Sequence, residues 1–128
     1  MSEARRARGS AARVSGRKAE WLAALWLLCK GYRILGFRLQ TRQGEIDLLA
    51  MKKGVLAVVE VKRRTTLEAA LECVEAEQRE RLRRAGRALA GNRPALKHLA
   101  LRLDLVALAP GRLPRHIPGA WQDDVSAP

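Results

Sequence analysis

Apolar side chains first recur at a spacing of three to four residues. Ala19, Leu22, Ala23, Trp26 and Leu27 make one stripe, the period of an amphipathic helix. Ser15 is placed to cap that helix, and Gly31 to end it just after Lys30. The pattern then changes to strand-like segments at Tyr32–Leu39 (interrupted by Gly36), Glu45–Met51 and the β-branched Val55–Lys62, with a turn marked by Gln43-Gly44. Leu67–Val74 fits a loop, a short helix or the start of one long helix. Val74, Gln78, Leu82, Ala85 and Leu89 form a second helical stripe among many arginines, stopped by Gly91 and Pro94. Alternation returns at Leu101, Leu103 and Leu105, predicting a strand over Leu99–Leu108.

Helix, three strands, helix, strand is an α/β order. The tight connection between the second and third strands makes them antiparallel, and the helical crossover lets the fourth lie parallel to the third. The expectation is a mixed sheet of about four strands flanked by helices. Residues 1–14 read as a basic arm, 15–109 as the domain, and 110–128 as a Pro- and Gly-rich tail that Trp121 anchors.

Composition narrows the partners. The 128 residues carry 25 Lys and Arg against 13 Asp and Glu, a formal charge of +12. Such a balance favours a polyanion, most commonly nucleic acid. Aromatic residues are only 4%, so contact with backbone phosphates is favoured over base stacking. No apolar run reaches the roughly 20 residues of a membrane span, and no secretory leader is evident, so a cytoplasmic protein without membrane contact is expected. Cys29 and Cys73 lack CxxC spacing and read as reduced. His98 and His116 read as ordinary loop residues, and Arg102 with Asp104 as an ion pair on one face of the fourth strand.

The chemistry concentrates in Gly44–Lys62. With Lys53-Gly54 as a two-residue hairpin loop, Asp47 lies opposite Glu60 and Glu45 opposite Lys62. Alternation then sends all four side chains from one face; a four-residue loop keeps them together, and a three-residue loop does not unless a bulge restores the alternation. Carboxylates facing one another repel unless a cation sits between them, and hard oxygen donors suit Mg²⁺ or Mn²⁺. An acidic pair, such an ion and a lysine are the parts that phosphodiester hydrolysis needs.

An acidic residue followed across a hairpin by Glu-x-Lys resembles the PD-(D/E)-x-K nuclease superfamily, with its restriction-endonuclease-like core. The resemblance is closer to the YraN family of small bacterial predicted endonucleases. It is carried by Gly16-Arg17 with Ala19-Glu20, Gly31-Tyr32-Arg33-Ile34-Leu35, Gly44-Glu45-Ile46-Asp47-Leu48, Val59-Glu60-Val61-Lys62 with Arg64, and Arg102-Leu103-Asp104-Leu105-Val106. Arg63 stands where that family usually has Thr.

The resemblance implies a metal-dependent nuclease acting on DNA, branched or single-stranded, with Asp47 and Glu60 as metal ligands and Lys62 as the catalytic lysine. Glu20, by itself an exposed helix residue, matches a helical glutamate placed near the metal in related nucleases. Glu45 belongs to the motif or pairs with Lys62 or Arg42. Gln78 falls where related nucleases often put Gln or Lys. Arg17, Lys18, Arg42, Arg64, Gln78 and Arg81 are the candidate nucleic-acid contacts, and analogy with branched-DNA nucleases adds a homodimer. The competing readings are a non-catalytic nucleic-acid-binding protein in DNA processing or uptake, and an RNA- or ribosome-associated protein.

Overall fold

A computed structural model describes residues 18–72 and 76–120. The arm, Arg17, Val74 and Trp121 fall outside that range. Helix α1 (18–29) ends where Gly31 adopts φ +92°, which glycine reaches without strain. There the amides of Gly31 and Tyr32 reach back to the carbonyls of Leu28 and Leu27, a Schellman closure. Strands β1 (Arg33–Thr41), β2 (Gly44–Lys52) and β3 (Val55–Arg63) follow, then α2 (Leu67–Glu72), α3 (Ala76–Gly91), a 3₁₀ turn at Pro94–Leu96, β4 (Ala100–Leu108) and β5 (Arg115–Ile117).

The sheet runs β1-β2-β3-β4-β5. Its pairs are antiparallel except β3 with β4, which is parallel in register from Val55↔Ala100 to Arg63↔Leu108. The β2–β3 turn is the predicted two-residue one: Lys53 and Gly54 both have positive φ, as a type I′ hairpin requires. The first turn is Arg42-Gln43, one residue earlier than expected, so Gly44 opens β2. The fifth strand lies in the segment read as a tail; three residues between Pro114 and Pro118 are too few to show alternation.

Helices cover both sheet faces. On one, Ala19, Ala23, Ala24 and Leu27 of α1 meet Leu48, Ala50, Ala57, Val59 and Val106. On the other, Leu82 and Ala85 of α3 meet Ile46, Leu49, Leu56, Val58, Leu103 and Leu105. The alanine side of α1 faces inward, which lets the helix approach closely and brings Glu20 into the buried layer. Leu22, placed inside by its spacing, is instead exposed.

Helix α3 makes its own close approach at Gly86. A Cβ there would lie 2.7 Å from Val58 Cγ2 and 3.0 Å from Leu101 Cδ1. Gly→Ala in a helix normally gains up to about 1 kcal/mol, but Val58 is stiff and fully buried. Gly86→Ala should therefore destabilise by about 1–3 kcal/mol through overpacking. A urea midpoint equal to or above that of the parent would refute this.

One polar network crosses the α1 side. Asp104 is fully buried and accepts from Arg102 Nε (2.7 Å) and Nη2 (2.8 Å), from Gly119 N (3.1 Å), and bonds His116 Nε2 at 2.8 Å. Burial pushes its carboxyl up, but these hydrogen bonds outweigh burial and hold it below its ordinary value. The Asp104 contacts in turn push the Arg102 guanidinium up. Arg102 also donates to Tyr32 Oη, and Lys30 Nζ bonds His116 Nδ1. The expected Arg102–Asp104 pair is thus present, while His116 is a strand residue with a buried ring rather than a loop residue.

Candidate metal centre and cleft

Strands β2 and β3 stay hydrogen-bonded from Lys52↔Val55 to Leu48↔Val59, where their ladder ends. Both strands continue, β2 back to Gly44 and β3 on to Arg63 beside β4. Asp47 sits at the resulting split. Its Oδ2 accepts the Val61 amide at 3.0 Å, supplying the partner that a β2 carbonyl would otherwise provide.

The neighbouring strand is irregular at the same level. Arg38, between Phe37↔Leu48 and Leu39↔Ile46, has φ +49°, uncommon for a residue with a side chain. Phe37 packs on the α1 side and Leu39 on the α3 side, two residues apart. Ile46 and Leu49 likewise share the α3 side. The alternation that was expected to hold Glu45, Asp47, Glu60 and Lys62 on one face therefore resets at Arg38 and Asp47.

The reset gathers carboxylates from both layers. Glu20, Glu45 and Asp47 each offer an oxygen, and these lie within 4.8 Å of one another, a group that could hold a metal ion. Glu20 is buried rather than exposed, and its Oε1 accepts from Arg38 Nε at 2.6 Å. Glu45 accepts from Gln40 Nε2 instead of pairing with Lys62 or Arg42. From the α3 side Glu60 approaches Asp47, with its Oε1 held by Lys62 Nζ and Gln78 Nε2, both at 3.0 Å.

A cleft of about 280 Å³ opens between this split and α3, lined by Glu45, Asp47, Glu60, Gln78 and Arg81 over a floor that includes Leu82 and Ala85. Gly44 stands at its rim with φ +137°, and a Cβ there would lie 3.2 Å from the Arg81 stem. The missing side chain is what lets Arg81 lie across the entrance.

Electrostatics at the split favour a bound cation or a proton. Burial first, then the Glu60 charge, push the Asp47 carboxyl up to about 7, against the opposing pull of the Val61 amide and Lys62. Burial also raises Glu20, in spite of its Arg38 hydrogen bond. Carboxylates desolvated together cannot all ionise uncompensated, and their hard oxygen atoms are donors suited to a metal ion. The group differs from the Asp47–Glu60 pair read from the sequence: Glu20 and Glu45 join Asp47, while Glu60 borders them, its Oε1 held by Lys62 and Gln78.

The remaining expected contacts are spread around this centre. Arg42 is exposed in the first turn, and Arg64 is exposed with Nη1 on the Arg63 carbonyl. Lys18 lines a separate cleft with Arg63 and Arg112. Sequence reasoning missed Arg38 and Gln40. Their only available signal was position, opposite Asp47 and Glu45 once the β1–β2 register is known.

The family model described as "Uncharacterised protein family UPF0102" matches residues 19–108. A UPF0102 protein of Caulobacter sp. (strain K31) is 69% identical, covering 91% of this chain and 84% of the relative. One from Caulobacter vibrioides is 65% identical, covering 91% and 94%. Another, from Maricaulis maris, is 46% identical, covering 99% and 97%. Among the described residues no helix is long and apolar enough to cross a membrane.

Proposed function

The chain belongs to UPF0102, the YraN family, and from the make-up of its acidic cleft we propose that it is a metal-dependent nuclease hydrolysing DNA phosphodiester bonds in the cytoplasm. The observation that carries the reading is Asp47: a carboxyl raised to about 7, set in a strand split between Glu20 with Glu45 and Glu60 with Lys62. A structural carboxylate is normally paired or solvated, and this one is crowded by its own kind.

Asp47, Glu20 and Glu45 would hold the ion, with Glu60 bordering it. Mg²⁺ or Mn²⁺ held there would polarise the phosphoryl group and make a water nucleophilic near neutral pH. Glu60 keeps the Lys62 ammonium at the edge of the acidic group, where it stabilises charge developing on the phosphate. Gln78 fixes Glu60 from α3. Arg81 at the entrance, with Arg42, Arg64 and Lys18 further out, holds the strand backbone through phosphates. A cleft of about 280 Å³ admits a scissile phosphodiester and its adjoining sugars, and branched or single-stranded DNA is the substrate proposed.

The test offers linear, nicked, branched and single-stranded DNA with and without Mg²⁺ or Mn²⁺. Lys62→Ala should lower metal-dependent cleavage by about 10²-fold or more while changing DNA affinity only a few-fold. Tight binding without cleavage of any substrate would sink the enzymatic reading. It would favour a non-catalytic DNA-binding protein in DNA processing or uptake, a reading supported by the cations that already pair two of the acids, Arg38 on Glu20 and Lys62 on Glu60.

A further inference from the structure

A second cleft adjoins the acidic split on the α1 side of the sheet. Lys18 lies two residues before Glu20 on α1, and Arg63 follows Lys62 at the end of β3. Both line a cavity of about 300 Å³ with Arg112, at the paired ends of β3 and β4. In open α/β sheets the carboxyl ends of parallel strands are where ligands bind. At about 3.3 Å per residue, Arg63 is about 10 Å along β3 from Glu60. The cavity is therefore a neighbour of the split and not a part of it.

Its shape is set in advance. The Arg112 amide donates to the Ala109 carbonyl (3.2 Å), and Gly111 has φ +72° after Pro110, the pattern of a type II turn. The Arg64 amide donates to the Leu108 carbonyl (3.1 Å), tying the end of β3 to β4. Lys18 and Arg112 are exposed, and among the described residues that line the cavity none is acidic. Between the cations the walls are apolar, formed by Leu22, Leu108, Pro110 and Pro114. Cations beside an apolar wall suit a phosphate ester with a flat apolar body better than a bare anion, and a nucleotide has both parts. In a duplex the faces of a base are covered by its neighbours, whereas an unpaired nucleotide can turn one against apolar side chains. We propose that this cleft holds an unpaired nucleotide next to the phosphodiester at the acidic split, its phosphate on Lys18 and Arg112 and its base against Leu22 and Pro110. The inference rests on the DNA reading but not on cleavage.

Binding in EDTA keeps the cleft and the chemistry apart. Fluorescence anisotropy compares a labelled single-stranded oligonucleotide with the same sequence as a duplex. Arg112→Ala and, separately, Lys18→Ala should weaken single-strand binding about fivefold or more, and each should reduce the slope of log K against log [NaCl] by about 0.7. Leu22→Ser should weaken single-strand binding about fivefold or more with the slope unchanged, and duplex binding less than about twofold. Arg93→Ala, at an exposed arginine elsewhere, removes the same charge and should change affinity less than about twofold. Circular dichroism should be unchanged in all four. Parental affinity in the Arg112 and Leu22 variants overturns the cleft even where the protein cleaves DNA. The expected losses uphold it even where no substrate is cleaved. Equal losses on duplex and single strand in Leu22→Ser overturn it, as does a parent that binds phosphatidylglycerol vesicles through Lys18 and Arg112 and does not bind DNA.

Discussion

Asp47→Asn should abolish metal-dependent cleavage, by about 10²–10³-fold or more, and at the same time stabilise the metal-free protein. In the metal-free fold the Asp47 carboxyl is pushed from its ordinary 3.8 up to about 7, by burial and then by the Glu60 charge. The folded chain thus keeps a proton that the unfolded chain releases as pH rises from about 4 to 7. The unfolded state binds fewer protons across that window, so the metal-free fold loses stability as pH rises through it. Asparagine, nearly the same shape and uncharged, removes the loss. The expected readout is a melting temperature that falls from pH 5 to 7.5 in the parent and falls less in the variant. Mg²⁺ or Mn²⁺ should reverse the parent's fall only, because loading the ion expels the proton. A variant less stable than the metal-free parent at pH 7.5 would refute this account of the split.

The second large effect concerns stability alone. Asp104→Ala should cost about 3–5 kcal/mol, the range for breaking a buried pair by removing one partner. Asp104 joins two Arg102 nitrogens, the buried His116 ring and the Gly119 amide. Alanine leaves all of them facing a fully buried space. The loss should also loosen β5, whose pairing to β4 spans only Leu105↔Ile117 to Ala107↔Arg115. Urea unfolding followed by circular dichroism measures the cost, and a loss below about 1 kcal/mol would show that the network contributes little.

These two aspartates mark where the sequence was legible. Asp104 and Arg102 lie two apart on a regular strand, so alternation alone pairs them. The β2–β3 register was equally readable, since Lys53-Gly54 admits a type I′ turn and brings Asp47 level with Glu60. What could not be read was the fate of that register past Leu48. A positive φ at Arg38 is a backbone choice that tertiary packing imposes on an ordinary residue, and it moves Leu39 and Ile46 to the α3 side. The inward turn of Glu20 escaped for a related reason: Leu22 has the stronger claim to burial by hydrophobicity, but the alanine side of α1 fits closer to the sheet. β5 was too short to leave a periodic trace, and His116, lacking a metal-like spacing, gave no hint of Asp104.

The Val61 amide has a further consequence. Along the rest of the β2–β3 seam, strand is joined to strand by peptide groups, whose bonding capacity does not change with pH. At this one rung the acceptor is the Asp47 side chain, whose charge changes near pH 7. The seam is therefore stitched at its open end by a thread whose strength varies, tight when the carboxylate is ionised and slacker when it carries a proton. Cohesion of the sheet and readiness of the cleft are held by the same carboxylate.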